Sequence, residues 1–253
     1  MVERLIPNQN AEGSSPSCPA TFFMAFPGIP EPASVGIDEV PIELQSLIRL
    51  SVSEVLPYPD SATSTISNYA RLLLSANTQV NLTGAKDYSR LIKTHIIDCI
   101  IAARYIPIQK KIIDWGSGGG LPGLIWAAIF PDKEFYLCER IKKKAHFLEE
   151  ARSLLELMHV SVHSCQGQEL TKTISSDACI VARAVEPLPK IMTKLSSRNI
   201  PWKNLYLMAG PSWKELWEEY EKEQSNWKLK SQHCYSLEEN LGDRFLLHFK
   251  KSK

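Results

Sequence analysis

The sequence predicts an α/β fold, a mostly parallel sheet with antiparallel final strands, preceded by helices. Three observations predict it. From about residue 108, short β-prone runs alternate with segments of helical spacing. The first run, through Ile112 and Ile113, ends in an acid, Asp114, and opens into a loop carrying Gly116, Gly118, Gly119, Gly120 and Gly123. The second, residues 134–138, also ends in an acid, Glu139, after one intervening helix-compatible stretch.

Composition bounds the rest. The chain has 253 residues, 44% of them hydrophobic and 23% charged, an ordinary globular balance. A net charge of +1 excludes a global polycation, so any nucleic-acid contact must come from a local patch. No apolar run approaches the ~20 residues that span a bilayer. The first residues lack the basic-then-apolar pattern of a secretory signal, so a cytoplasmic protein with no membrane partner is expected. Cys18, Cys99, Cys138, Cys165, Cys179 and Cys234 are scattered, with no C-x-x-C pair. Buried free thiols are expected, and neither a zinc site nor a disulfide framework.

Taken in order, residues 1–40 hold Pro7, Pro16, Pro19, Pro27, Pro30 and Pro32, too many for a regular element, and are expected to be a poorly structured extension. Residues 41–107 read as a helical region packing on the catalytic domain. Pro41 opens a helix with Leu44, Leu47, Ile48 and Leu50 on one face. Ile66, Tyr69, Ala70, Leu72, Leu73 and Leu74 stripe a second helix, and Leu91, Ile92, His95, Ile96, Cys99, Ile100 and Ala103 a third over Tyr88–Tyr105. Asn81-Leu82-Thr83-Gly84 is a turn before it. His95 and Asp98, three apart, share a helix face, and by spacing alone His95 is an amphipathic-helix residue with a local partner. Residues 108–253 form the sheet domain. Later strands are predicted at Val160–His163, Ala178–Ala182 and Asn204–Met208, a charged helix at 213–223, and a final strand pair around Arg244–Phe249.

The glycine loop carries the chemistry. Glycine lets a ligand approach the main chain, and Pro122 suits the first turn of a helix whose N–H groups would face that ligand. Two framings are possible. Gly118, Gly120 and Gly123 fit the dinucleotide pattern G-x-G-x-x-G. Gly116, Gly118 and Gly120 fit G-x-G-x-G with Asp114 two residues ahead. The second is favoured, because an acid there opposes a pyrophosphate and suits a cation. S-adenosylmethionine carries both an ammonium and a sulfonium. Glu139 can bond a ribose diol in either framing. After it, Arg140, Lys142, Lys143 and Lys144 put positive charge at the mouth of a strand-end cleft, against the helix dipole, where it could meet phosphate.

Together, Asn81-Leu82-Thr83, His95-x-x-Asp98, Asp114-x-Gly-Ser-Gly-x-Gly-Leu-Pro-Gly123 and Arg183-Ala184 form an ordered set. It resembles the bacterial small-subunit methyltransferase G family, also called glucose-inhibited division protein B, over about residues 66–250. The resemblance implies a class I, Rossmann-like S-adenosylmethionine-dependent methyltransferase fold. It implies methylation of guanine N7 in 16S ribosomal RNA, met within a small-subunit particle, by a monomer. It implies that Gly116 and Leu121 line the cofactor pocket, and that Glu139, Arg140 and Ile141 hold the adenosine end. Gln166 and Gly167 fall at the adenine, and Arg183 closes the site. His95 and Arg183 are the catalytic candidates, and Lys93, His95, Lys142, Lys143 and Lys144 the RNA-binding ones. Asp114 is expected to seat the cationic amino-acid end of the cofactor, and Arg183 to bind phosphate. This chain departs from the family's usual residues at Arg140, Cys99 and Ala209, where serine, serine and lysine are common. The alternatives are a nicotinamide-dependent oxidoreductase on the same sheet and a non-catalytic ribosome-binding relative.

Overall fold

The computed structural model describes residues 28–197, 199–223, 226–237 and 242–252. Most of the expected loose extension, residues 1–27, lies outside the described residues. Residues 28–40 are packed and not loose. They contain a 3-10 turn, Pro32–Val35. The Ile29 N–H donates to the Glu150 carboxylate at 2.9 Å, and the Ser75 hydroxyl donates to the Pro30 carbonyl. Ile29, Ile37 and the buried Val40 supply apolar contacts that the density of prolines concealed.

Helices α1 (Ile42–Ser53) and α2 (Asp60–Asn77) lie where predicted, but on α1 Leu50 is exposed, and Val52 joins Ile48 in the core. The third helix is continuous but not uniform. It begins as α3 (Tyr88–Leu91), with the Asp87 carboxylate capping the Arg90 N–H at 2.8 Å. It widens into a π turn, Ile92–Ile96, and resumes as α4 (Ile97–Ala102). Such π turns are often found at functional sites, and this one contains His95.

The sheet has seven strands in the order β3-β2-β1-β4-β5-β7-β6. They are β1 (Lys111–Trp115), β2 (Glu134–Cys138), β3 (Val160–His163), β4 (Cys179–Arg183), β5 (Asn204–Ala209), β6 (Trp227–Ser236) and β7 (Asp243–Lys251). The first five pair in parallel, and β7 is antiparallel to both β5 and β6. Between the strands run α5 (Gly123–Ile129), α6 (Lys142–Leu154), α7 (Leu188–Ser196) and α8 (Trp213–Glu223). Chain order reverses at β1, which has β2 on one side and β4 on the other. A crevice at the carboxyl ends of these strands follows from that reversal.

Alternation along each strand sorts residues onto the two faces. Ile112, Phe135, Leu137, Cys179, Val181, Tyr206 and Met208 join the helical region in one core, with α1, α2, α4, α5 and α6. Ile113, Trp115, Ile180, Ala182, Leu205, Leu207 and Phe249 form the second core, under α7 and α8. Asp114 and Arg183 have the parity of the first face, so both point at the N-terminal helices. That parity positions the site.

Candidate functional site

A cleft of about 420 Å³ lies at the carboxyl ends of β1, β2 and β4. Its floor is the glycine loop. Gly116 has φ +77°, and a Cβ there would lie 2.7 Å from Val185 Cγ1. A side chain at 116 would therefore strain the backbone and collide with Val185 on the cleft wall. The loop is held from three sides. The Tyr69 hydroxyl, from α2, donates to the Gly119 carbonyl at 2.6 Å. The Gly118 N–H donates to Glu139 Oε2 at 3.0 Å. Ser117 Oγ accepts from the Cys138 N–H and donates to the Asp114 carbonyl, each at 3.0 Å.

Asp114 does not line the cleft. It is 1% exposed, beneath the loop, and its Oδ2 accepts the Gly123 N–H at 3.0 Å. A Cβ on Gly123 would come within 2.5 Å of that oxygen, so only glycine admits the contact. The N–H expected to greet a ligand at the start of α5 is thus already taken. Burial pushes the Asp114 carboxyl up to about 7, against the opposing pull of the Gly123 and Ser117 hydrogen bonds. Its Oδ1 has no hydrogen-bond partner among the described residues. Gly120 is also buried away from the cleft, against Leu124 and Leu148.

The other predicted cofactor residues come together on the cleft wall: Gly116, Gly118, Leu121, Glu139, Arg140, Ile141, Gln166, Gly167 and Arg183. Glu139 Oε1 also accepts the Ile141 N–H at 2.8 Å. A carboxylate offers roughly four acceptor positions, so two remain for a ligand diol. Ile141 is 45% exposed and Leu121 half-buried, giving two apolar walls. Gln166 caps the 3-10 turn Gly167–Lys172, its side chain and that of Glu169 forming a reciprocal capping box.

Of the RNA-binding candidates, His95 and Lys144 line the cleft. Lys142 and Lys143 are exposed at the start of α6, and Lys93 is half-buried on the π turn. Sequence reasoning missed Leu82, Thr83 and Gly84 as cleft residues, although it marked their turn. Asn77 builds that turn. Its Oδ1 accepts the Leu82 and Thr83 N–H groups at 2.8 and 3.0 Å, and its Nδ2 donates to the Thr83 carbonyl at 3.0 Å.

At the far end of the cleft stands a buried polar chain. Arg183 reaches Asp98 Oδ2 through Nε at 3.1 Å and Nη2 at 3.0 Å. Its Nη2 also lies 3.1 Å from His95 Nδ1. Tyr235, from β6, donates to Asp98 Oδ1 at 2.8 Å. The guanidinium is thus engaged inside the protein, where the sequence reading gave it a phosphate. Burial, with Arg183 next, pushes His95 down to about 4, so its ring is neutral near pH 7. Tyr235 left no signal in the sequence, because it meets Asp98 from 137 residues away. Ala184, directly after Arg183, has φ +51°, a strained value for a residue with a Cβ.

Arg183, His95, Ala184 and Glu186 also border a second cavity of about 470 Å³, with Met208, Ala209, Trp213 and Arg244 on its other sides. Cys99, Cys138, Cys165, Cys179 and Cys234 are free thiols. Among the described residues, no group of three or more potential ligands could hold a metal ion. No described helix is long and apolar enough to cross a membrane.

Known proteins place this architecture. The METTL16 MTase domain superposes with a TM-score of 0.52 at 12% identity, covering 77% of this chain and 82% of that one. The fold is that of class I, Rossmann-like S-adenosylmethionine-dependent methyltransferases. A protein named ribosomal RNA small subunit methyltransferase G from Brachyspira hyodysenteriae is 33% identical over 148 residues, 58% of this chain and 72% of that protein. One of the same name from Paracoccus denitrificans is 33% identical over 168 residues, 66% of this chain and 84% of that protein. The sequence model of the family described as rRNA small subunit methyltransferase G matches residues 62–246. The chain belongs to the rRNA small subunit methyltransferase G family.

Proposed function

We propose that this protein transfers a methyl group from S-adenosylmethionine to N7 of a guanine in 16S ribosomal RNA, acting in the cytoplasm as a monomer on a small-subunit particle. The observation that carries the reading is that two neighbouring cavities share His95, Arg183, Ala184 and Glu186 in their walls. One is walled by loop glycines and Glu139, and the other is shared with β5 and α8.

The residues present fit the donor. Glu139 keeps acceptor capacity for a diol, Ile141 and Leu121 offer apolar walls, and the missing Cβ of Gly116 lets the loop pack beside Val185 and keeps its backbone bare at the floor. When bound, S-adenosylmethionine supplies an electrophilic methyl group on a sulfonium. The chain's own contribution is positioning. Asp114 acts through the loop it fastens at Gly123, not by direct contact with the ligand. The Tyr69 and Ser117 hydrogen bonds keep that loop in one shape. Guanine N7 has an in-plane lone pair and no proton to lose, so attack needs no general base. His95 is neutral but already bonded at Nδ1, and Asp98 is paired with Arg183, so neither is set up as one. Holding reacting atoms ~3–3.5 Å apart and in line is then the main source of rate.

N7 lies in the deep groove of an A-form duplex, so the target must be an opened or irregular element. Lys144 at the cleft, with Lys142 and Lys143 beside it, supplies the local positive charge that a net +1 chain needs for RNA. Family membership speaks against the nicotinamide reading. The test is an assay with methyl-labelled S-adenosylmethionine and small-subunit particles lacking the modification, followed by nucleoside mass analysis. 7-Methylguanosine is expected. Label in another nucleoside, or none, contradicts the proposal.

A further inference from the structure

We propose that His95 reads the target base: its Nε2–H donates to the O6 of the guanine whose N7 accepts the methyl group. The inference rests on the methyltransferase reading above and assigns it a specificity-determining atom.

The first ground is the tautomer. Arg183 is donor-only, so the 3.1 Å contact from its Nη2 makes His95 Nδ1 an acceptor. The ring proton is therefore on Nε2. The assignment is not loose, because three other groups fix it. Arg183 is anchored by two contacts to Asp98, and Asp98 is held on its other oxygen by Tyr235. Asp98 and Tyr235 are both buried, so the chain has little room to rearrange.

The second ground is location. His95 belongs to the walls of both cavities, and so does Arg183. A base in the second cavity, against Met208, Leu207 and Trp213, must present its methyl-accepting edge to the cofactor cleft across this junction. The edge carrying N7 carries one other group, O6 in guanine and an amino group in adenine. A donor aimed at N7 would block the lone pair that attacks. A donor beside it finds an acceptor in guanine and a second donor in adenine. His95 at this place thus accepts one purine and rejects the other.

The third ground is charge. Burial and the neighbouring Arg183 keep the imidazole neutral at pH 7. A neutral donor adds no repulsion against a ring that gains positive charge as N7 is alkylated. The same residue sits on the π turn, a feature frequent at functional sites.

The experiment compares His95→Phe and His95→Gln with the wild type on unmodified small-subunit particles. Binding of S-adenosylhomocysteine, read as a melting-temperature rise, is the control for an intact cleft. His95→Phe keeps a flat ring and loses the donor. It should lose about tenfold or more in kcat/KM for RNA, while the melting shift persists. His95→Gln restores an N–H donor and should recover most of that loss. An equal loss in both variants, or no loss in His95→Phe, overturns the assignment. So does a 15N spectrum of the wild type showing His95 as the Nδ1–H tautomer or as imidazolium at pH 7. That measurement needs no variant to fold. If the wild type itself makes no 7-methylguanosine, it is the methyltransferase reading that fails, and the two failures are distinct.

Discussion

Asp114 shows how one side chain can matter to a cleft it does not touch. Its carboxyl is buried, bonded to the Gly123 N–H, and pushed up to about 7 by that burial. The sign follows from the direction. A folded-state value above the unfolded one means the folded chain prefers the protonated acid. That stability is fully present below about 4 and is lost as pH rises through about 7. Asp114→Asn mimics the protonated form and should lack this dependence. Between pH 5 and pH 8 the wild type should lose stability relative to Asp114→Asn, by at most on the order of 4 kcal/mol. Thermal melts of both proteins across that range check it, and a constant gap would show that the carboxyl does not ionise in place. Arg183 makes the matching case for a buried charge. Arg183→Ala leaves Asp98 without its guanidinium, so it should destabilise the fold by about 3–5 kcal/mol, read by urea unfolding. Wild-type stability in that variant would mean the pair contributes nothing. The sequence picked out Asp114, Arg183 and His95 as important but assigned the first two to ligands. It could not show that strand parity turns both inward, Asp114 onto the nearby Gly123 N–H and Arg183 onto Asp98 and His95 far away in the chain.

The element that proved most legible is the β1–loop–α5–β2 unit. Its alternation, its glycines and its terminal acids are all local signals, and the strands fall where the sequence put them. What failed there was also local: the N–H at the start of α5 looked available because Asp114 was assumed to face outward. Two elements were not read at all. Helix α7 carries Leu188, Ile191, Met192 and Leu195 on one buried face, but Pro187 and Pro189 at its start masked the stripe. Proline is tolerated in a first turn, where its missing N–H costs nothing. The π turn at Ile92–Ile96 has no compositional mark, since it comes from packing and not from propensity. Helix packing supplies a further prediction. Trp126, fully buried on α5, donates its indole N–H to the Cys99 carbonyl of α4 at 2.9 Å. Trp126→Phe keeps an aromatic ring but removes the indole donor, and the Cys99 carbonyl keeps its bond from the Ala103 N–H. It should cost about 0.5–1.5 kcal/mol in chemical unfolding. The loop makes a sharper one. Gly116→Val adds a β-branched side chain at positive φ into the space of Val185, so cofactor affinity should fall at least about tenfold by calorimetry. Unchanged affinity would remove the loop from the cofactor site.

At the scale of the whole molecule, the N-terminal helices and the sheet are one body. Their residues share a core, and Tyr69, Asn77, His95 and Asp98 all reach from the helical region to the cleft or its border. This is why the helical segment, which carries His95 and Asp98, helps to build the site. Charge is the other property of the whole. With a net charge of only +1, affinity for RNA should come from few phosphate contacts and fall with rising salt in proportion to them. Triple substitution of Lys142, Lys143 and Lys144 by Gln should reduce that slope in a filter-binding titration, and an unaltered slope would place the footprint elsewhere.

The central claim is that the glycine-bent cleft between β1, β2 and β4 seats an S-adenosyl donor, and ligand-dependent melting tests it most directly. A ligand that binds only the folded state raises the melting temperature by mass action. S-adenosylhomocysteine should raise it in the wild type and not in Gly116→Val, and NAD should leave it unchanged. A rise with NAD and none with S-adenosylhomocysteine would contradict the account.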